Sequence, residues 1–374
     1  MSKGLRIAIA TPSENAYSET FIAAHMQRLR DVELIMVDGS LPNRVVDGPL
    51  LLHRSGAGRI MDHAKARLAR TTTQGLLRER IQRMLRQRGI QVVLAEYGNT
   101  GEAILESCQR AGVPLVVHFH GFDAHRTDQI ERMGRYQRIF AHAAALVVVS
   151  RAMEAQLLAL GAPRDKVIYN CYGIDVQRFA AGNPSQAPPH FVSVGRFVDK
   201  KAPHMLLGSF MAMAARVPDA RLTMVGDGVL WESCVQRVRA AGLEGRVSLC
   251  GVKEQNEIAA LMRGARAFVQ HSVRALSGDS EGTPLAVLEA MASGLPVIAT
   301  RHTGIGDVVV HEERGLLCDE FDVAAMAEHM ERIAHDPDLA GRMGRAGRIH
   351  VEKDHRVEDS VARLQAILDR CARS

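Results

Sequence analysis

The chain is 374 residues long, 47% hydrophobic, with a formal net charge of +5. That length predicts two domains of roughly 150–200 residues, each large enough to bury its own core. Six scattered cysteines with no Cys-x-x-Cys pair argue against a disulfide framework or a zinc site and fit a reducing cytoplasm. No uncharged stretch approaches the roughly 20 residues of a membrane span, so the protein is expected in solution or on a membrane surface.

The N-terminus, MSKGLRIAIATP, runs straight into a strand, and its apolar run is too short for a signal peptide. Next comes PSENAYSETFI (12–22), a loop and helix start in which Ser18, Glu19 and Thr20 are placed to cap. Between His53 and Gly89 there are ten Lys or Arg against two acids. Aromatic residues make up 4% of the chain and none falls in this stretch, so base stacking and nucleic acid are poor explanations. Within it, GLLRERIQRMLRQRG puts Leu77, Ile81, Met84 and Leu85 on one helical stripe flanked by arginines. That stripe could face the domain core, or the basic stretch could dock on an anionic membrane.

Short apolar, β-branched runs alternate with helical patterns along the whole chain. In the first half they are LRIAIAT, VELIMVD, VVLAEYG, PLVVHFHG, ALVVVS and KVIYNCYG. The second half has HFVSVGR, ARLTMVGDG, RVSLCGV, RAFVQHS, LPVIATR and RGLLCD. Runs of this kind suit parallel strands buried on both faces, which predicts two doubly wound α/β sheets of six strands. The segment FAAGNPSQAPPH (179–190) has linker composition. This predicts a first domain over 1–178, a linker over 179–189 and a second domain over 190–354. A closing helix over 355–374 carries Val357, Val361, Leu364, Ile367 and Leu368 at helical spacing. Ligands of such sheets bind beyond the carboxyl ends of the strands, so the default site is a cleft between the domains.

The most informative stretch is EGTPLAVLEAMASG (281–294). Thr283 followed by Pro284 reads as a hydroxyl N-cap and a proline at the first helical position. Glu281 then lies in the loop before the helix and Glu289 inside it, about 7 Å from Pro284 along the axis. The free amides of the helix start between them favour phosphate. Carboxylates on either side could accept hydrogen bonds from vicinal hydroxyls of ribose or a hexose. The bland alternative for Glu289 is a buried acid paired with a distant Arg or Lys.

Glu281 and Glu289, with AMASGLPVIAT following, resemble the signature of glycosyltransferase family 4. VGRFVDKKAP (194–203), VGDG (225–228), HFHGFDA (118–124) and YNCYGID (169–175) are similar to further motifs of that family in the same order. EGTP stands where many members have Glu-Gly-Phe-Gly, and HSVRALSGDS is a longer approach than usual. The resemblance implies the GT-B fold, two Rossmann-like domains facing a cleft, and retaining transfer from a nucleotide sugar. A UDP-sugar is expected ahead of a GDP- or ADP-sugar, and the acceptor is a glycan or lipid-linked chain of bacterial surface polysaccharide synthesis.

It also implies roles residue by residue. Arg196 and Lys201 would stabilise the departing diphosphate, while Lys200 reads as surface charge. His120 would face the reacting sugar, polarising a hydroxyl or acting through its backbone carbonyl, and Asp123 would brace that loop. Glu281 completes the catalytic group. Gly195, Val252, Gly282, Thr283, Pro284, Leu285 and Glu289 would hold the donor, and Ser18, Glu19 and Thr20 would lie near the acceptor. No metal or cofactor is expected: His118 with His120 lacks a third ligand unless Asp123 turns back. The alternatives are a non-catalytic membrane-associated scaffold, or an oxidoreductase, which the missing Gly-x-Gly-x-x-Gly after the first strand disfavours.

Overall fold

The computed structural model describes residues 4–14 and 19–373. The chain divides into two compact units. One comprises the chain up to Val149, Met153–Asn170 and everything from Ser360 on; the other comprises Ser150–Ala152 and Cys171–Asp359.

The first unit is built on β1 (Ile7–Ala10), β2 (Val32–Val37), β3 (Arg44–Val45), β4 (Val92–Glu96), β5 (Leu115–His118), β6 (Ala145–Val148) and β7 (Val167–Tyr169). Their order across the sheet is β3-β2-β1-β4-β5-β6-β7. Strands β1, β4, β5 and β6 are buried along their whole length, as their continuous apolar runs require. Seven strands are present where six were expected. The extra one, β3, is a two-residue antiparallel edge strand on β2 with no apolar run to announce it.

The second unit carries β8 (His190–Val194), β9 (Arg221–Val225), β10 (Val247–Leu249), β11 (Ala267–Gln270), β12 (Val297–Thr300) and β13 (Gly315–Cys318). These pair in parallel in the order β10-β9-β8-β11-β12-β13. Phe191, Phe210, Met224, Val269, Ile298, Leu316 and Met330 interlock in its core. In each sheet the strand order reverses beside the first strand, between β1 and β4 and between β8 and β11. The loops at the carboxyl ends of those strands are where a doubly wound fold places its ligand.

Two expectations need correction, and one open alternative is decided. The proline- and glycine-rich segment 179–189 is not a free linker. Gly182 N–H donates to Ser293 O at 2.9 Å, Arg266 Nε donates to Ala187 O at 3.1 Å, and Phe179 is buried, so the segment is stitched onto the second unit. The division between units falls earlier, at Asn170–Cys171. The basic helix Thr73–Gln87 turns Leu77, Ile81 and Leu85 into the core, so that stripe is packing surface. Pro284 precedes its helix as the N-cap, with ψ 120°, and the helix starts at Leu285; Thr283 is therefore one residue too early to cap.

Another basic helix, Gly56–Leu68, buries only Asp62 and Ala66. Asp62 anchors it through Arg80 Nη2 at 2.6 Å and His53 Nδ1 at 2.9 Å. Ile60 (72% exposed), Met61 and Leu68 (88%) face outward. Among the described residues, no helix is long and apolar enough to cross a membrane.

Candidate active site

In the second unit, the predicted donor residues sit at the carboxyl ends of β8, β10 and β11. Gly195 and Arg196 follow β8, and a short 3-10 turn, Asp199–Lys201, presents Lys201. That turn ends at Ala202, whose φ of 38° is left-handed and strained for a residue with a Cβ. Side-chain space here is tight. A Cβ on Gly195 would lie 3.3 Å from Lys201 Cδ and Cε, and one on Gly226 would lie 2.0 Å from Gly195 O. The glycines of VGDG are therefore required by the close approach of the β9 loop to the β8 loop.

Lys201 Nζ lies 3.3 Å from Glu281 Oε1. Burial pulls the lysine below its usual range against the opposing pull of Glu281, and Lys200 and Arg196 add to the lowering. Burial would raise Glu281, but Lys201, Lys200 and His302 bring it below the ordinary carboxylate range. Glu281 N–H donates to His302 Nε2 at 3.1 Å, and His302 Nδ1 is 2.5 Å from Glu320, which fixes the loop from behind. Lys200 is not the surface charge expected. It is buried, bonded to Asp279 Oδ1 at 2.9 Å and to Ser280 O at 3.1 Å, and so ties the β8 loop to the residues leading into Glu281.

Gly282, Thr283 and Pro284 are buried, and Leu285 opens the helix Leu285–Ala292. Glu289 within it is 5% exposed and, among the described residues, has no ion pair or side-chain hydrogen bond at contact distance, although Arg178 and Lys201 act on it from farther away. Burial pushes it up to about 7, with Arg178 and Lys201 pulling the other way. Arg196 is exposed and likewise carries no ion pair among the described residues. Val252 follows β10 and is half exposed.

In the first unit, Glu19 precedes the helix Thr20–Arg28 but does not cap it with its side chain. Its carboxylate receives Tyr97 OH at 2.6 Å and Ser13 Oγ–H at 3.0 Å. Ser18 lies outside the described residues. Asp123 takes His120 N–H at 2.8 Å and Gly98 N–H at 2.5 Å, so it does not turn back toward His118. Burial raises Asp123 to about 7 despite those two donors.

The companion of the histidines is Glu96, a residue the sequence reading passed over. His25 Nδ1 lies 2.7 Å from Glu96 Oε1, while His120 Nε2 and His118 Nδ1 lie 3.0 and 3.3 Å from Oε2. His25, Glu96 and His118 have metal-ligating chemistry, with ligand atoms all within 4.8 Å of one another. Their closest contacts have hydrogen-bond lengths; donors around a zinc ion at ~2.0–2.2 Å would stand farther apart. His25 and His120 are hydrogen-bonded to Glu96, and His118 Nδ1 stands beside them at ion-pair distance.

With this geometry in view, two family matches divide the chain between them. "Glycosyl transferase 4-like domain" covers residues 20–173 and "Glycosyl transferases group 1" covers 176–350. The chain belongs to the family-4-like glycosyltransferases. It is 30% identical over 260 residues to the amylovoran biosynthesis glycosyltransferase AmsK of Erwinia amylovora, an alignment spanning 69% of this chain and 64% of AmsK. It is also 30% identical over 272 residues to the putative colanic acid biosynthesis glycosyltransferase WcaL of Escherichia coli, covering 70% of this chain and 66% of WcaL. The chain thus spans just under two thirds of the length of these relatives.

Among solved structures, Anabaena HepE in complex with UDP superposes with a TM-score of 0.77 at 15% identity, over 98% of this chain and 100% of HepE. Sucrose-phosphate synthase from Thermosynechococcus elongatus gives 0.72 at 19%, over 98% and 99%. These likenesses establish the GT-B fold: two Rossmann-like, doubly wound parallel sheets. In this family-4-like chain, Glu96 and Lys200 are the site residues that sequence reasoning missed. Glu96 carried one weak signal, an acid ending the otherwise apolar run VVLAE.

Proposed function

We propose that the protein is a retaining, metal-independent hexosyltransferase. It moves a sugar from a nucleotide sugar, a UDP-sugar ahead of GDP- or ADP-sugars, to a glycan or lipid-linked acceptor in bacterial surface polysaccharide synthesis. The observation that carries this reading is Glu289, a buried carboxylate on the helix that follows Glu281, with no ion pair or side-chain hydrogen bond at contact distance among the described residues. A carboxylate removed from water without a partner is costly, and a ligand diol supplies the missing hydrogen bonds. The names of AmsK and WcaL, and the UDP and UDP-glucose complexes of HepE, support the substrate class.

The proposed division of labour follows from the charges. Glu289 accepts from the donor ribose. The amides at the start of the helix Leu285–Ala292 face the diphosphate, and Arg196 and Lys201 meet the charge that grows on it as the sugar departs. Glu281 keeps Lys201 charged and oriented and faces the sugar hydroxyls. His120, braced by Asp123, steadies positive charge on the sugar through its carbonyl. The acceptor attacks from the face the phosphate leaves, and the phosphate takes its proton. Glu19 and Thr20 would line the acceptor side. Val252 and Gly195 would border the nucleotide.

We also place the protein at an anionic membrane surface, on the inner face, through the helix Gly56–Leu68. Its exposed apolar stripe, Ala57, Ile60, Met61, Ala64 and Leu68, is flanked by exposed Arg59, Lys65, Arg67 and Arg70. The helix's one acid, Asp62, is buried and paired, so the outward charge is wholly positive. Apolar contact and complementary charge together suit an anionic bilayer.

Release of free nucleotide from a panel of nucleotide sugars, with a polyprenyl-linked or oligosaccharide acceptor, tests the assignment. UDP-sugar turnover that persists in chelator is the expected result. Turnover that requires added manganese would refute metal independence, and no donor-dependent release with any nucleotide sugar would favour the non-catalytic scaffold.

A further inference from the structure

Glu96 ends β4 fully buried, and the chemistry proposed above does not use it. Its three imidazole neighbours come from separate elements: His25 from the helix after β1, His118 from the end of β5, and His120 from the loop beyond. Parallel pairing of β4 and β5 sets Glu96 directly beside His118. The Phe21 and Tyr97 rings pack on His120, each with its centroid 4.5 Å away.

His120 stands at the N-cap of the short helix Gly121–His125, where its backbone N–H is taken by Asp123 at 2.8 Å. An ionised carboxylate can only accept a hydrogen bond, so with Glu96 Oε2 3.0 Å from Nε2 the neutral ring carries its proton on Nε2 and donates it to Glu96. The Nε2 edge of the imidazole is thus engaged in holding the loop. What His120 can offer a sugar is its carbonyl oxygen, which has two lone pairs and receives Ala124 N–H at 3.2 Å.

We propose that Glu96 is a positioning residue for His120: it locks the imidazole in the Nε2–H tautomer and thereby fixes the carbonyl that meets the reacting sugar. This rests on the role given to His120 above. Burial keeps that ring neutral, pulling it down to about 3, with the neighbouring His118 contributing.

The test has two independent readouts. Long-range 1H–15N correlation on histidine-labelled protein reports the tautomer directly, with the His120 signal assigned from its loss in His120→Ala. In the wild type an Nε2–H signal is expected; an Nδ1–H tautomer or an imidazolium at pH 7.5 overturns the proposal without any variant of Glu96. In kinetics, Glu96→Gln should lower kcat roughly 10- to 100-fold, the scale of a small misplacement, while donor Kd changes less than about twofold. If Glu96→Gln does not fold, Glu96→Asp, whose carboxylate is withdrawn by one methylene, is judged by the same criteria. A folded variant with wild-type kcat overturns the proposal. Wild-type kcat in His120→Ala would instead overturn the role of His120, while the tautomer still reports whether Glu96 holds the ring.

Discussion

Lys201 Nζ and Glu281 Oε1 stand 3.3 Å apart in a site that burial makes costly for either charge by itself. The cation proposed to meet the leaving diphosphate is therefore kept charged by the carboxylate beside it. Lys201→Met should lower kcat by roughly 100-fold or more at saturating donor, the usual scale for losing one preorganised transition-state contact. In Glu281→Gln the partner charge is gone while burial still lowers Lys201. A lysine with a lowered pKa loses its proton earlier as pH rises, so the alkaline limb of the pH–rate profile should move to lower pH. An unshifted limb would show that Glu281 does not maintain the lysine's charge.

Glu289 couples function to stability. Its carboxyl is raised to about 7, so the folded state binds its proton more tightly than the unfolded chain does. That contribution is fully present below the unfolded pKa and disappears as pH rises through about 7, a difference on the order of 3 kcal/mol. Glu289→Gln should therefore melt close to wild type at pH 5 and above it at pH 8 in ligand-free protein, while binding UDP more weakly. Parallel melting curves at both pH values would remove this reading of the acid.

Lys200 calls for a different outcome from Lys201. Its buried bonds to Asp279 and Ser280 O make it part of the scaffold. Lys200→Ala should cost about 2 kcal/mol or more, below the full value for a buried pair because Asp279 is partly exposed. Chemical denaturation gives that number directly. A change in kcat with no loss of stability would reassign the residue.

For the helix Gly56–Leu68, Ile60→Ser with Leu68→Ser should reduce co-sedimentation with anionic vesicles at least tenfold, since each buried apolar side chain contributes about 1.5–3 kcal/mol. Reversing Arg59, Lys65 and Arg67 to glutamate should abolish the preference for anionic over neutral vesicles, at on the order of 1 kcal/mol per cation. Equal binding of the wild type to neutral and anionic vesicles, or none to either at low salt, excludes this surface.

The sheets were legible in the sequence because strands buried on both faces leave continuous apolar runs such as IAIA and ALVV, each read without reference to its partners. The edge strand Arg44–Val45 leaves no such trace. Glu289 was legible as a lone charge in an apolar helix. Glu96 was not, because its meaning lies in His25, 71 positions earlier, and His120, 24 later, which only strand pairing brings together. In DKK the two lysines are chemically identical, and the turn closed at Ala202, not the residue type, sends Lys200 inward and Lys201 to the site. The basic stretch left two alternatives open for a related reason: the apolar stripe with the cleaner helical spacing packs inward, while the less regular helix before it is the exposed one.

The packing of residues 171–189 onto the second unit has a practical consequence for anyone dissecting the molecule. A fragment begun at His190, where composition suggests a start, would discard Phe179, whose side chain is buried, and the carbonyls that receive Arg348 and Arg266. Two guanidinium groups would then face an unfilled furrow, inviting aggregation during expression. A cut at Cys171 preserves those contacts, so the two fragments should differ sharply in soluble yield although they differ by only the nineteen residues from Cys171 to Pro189.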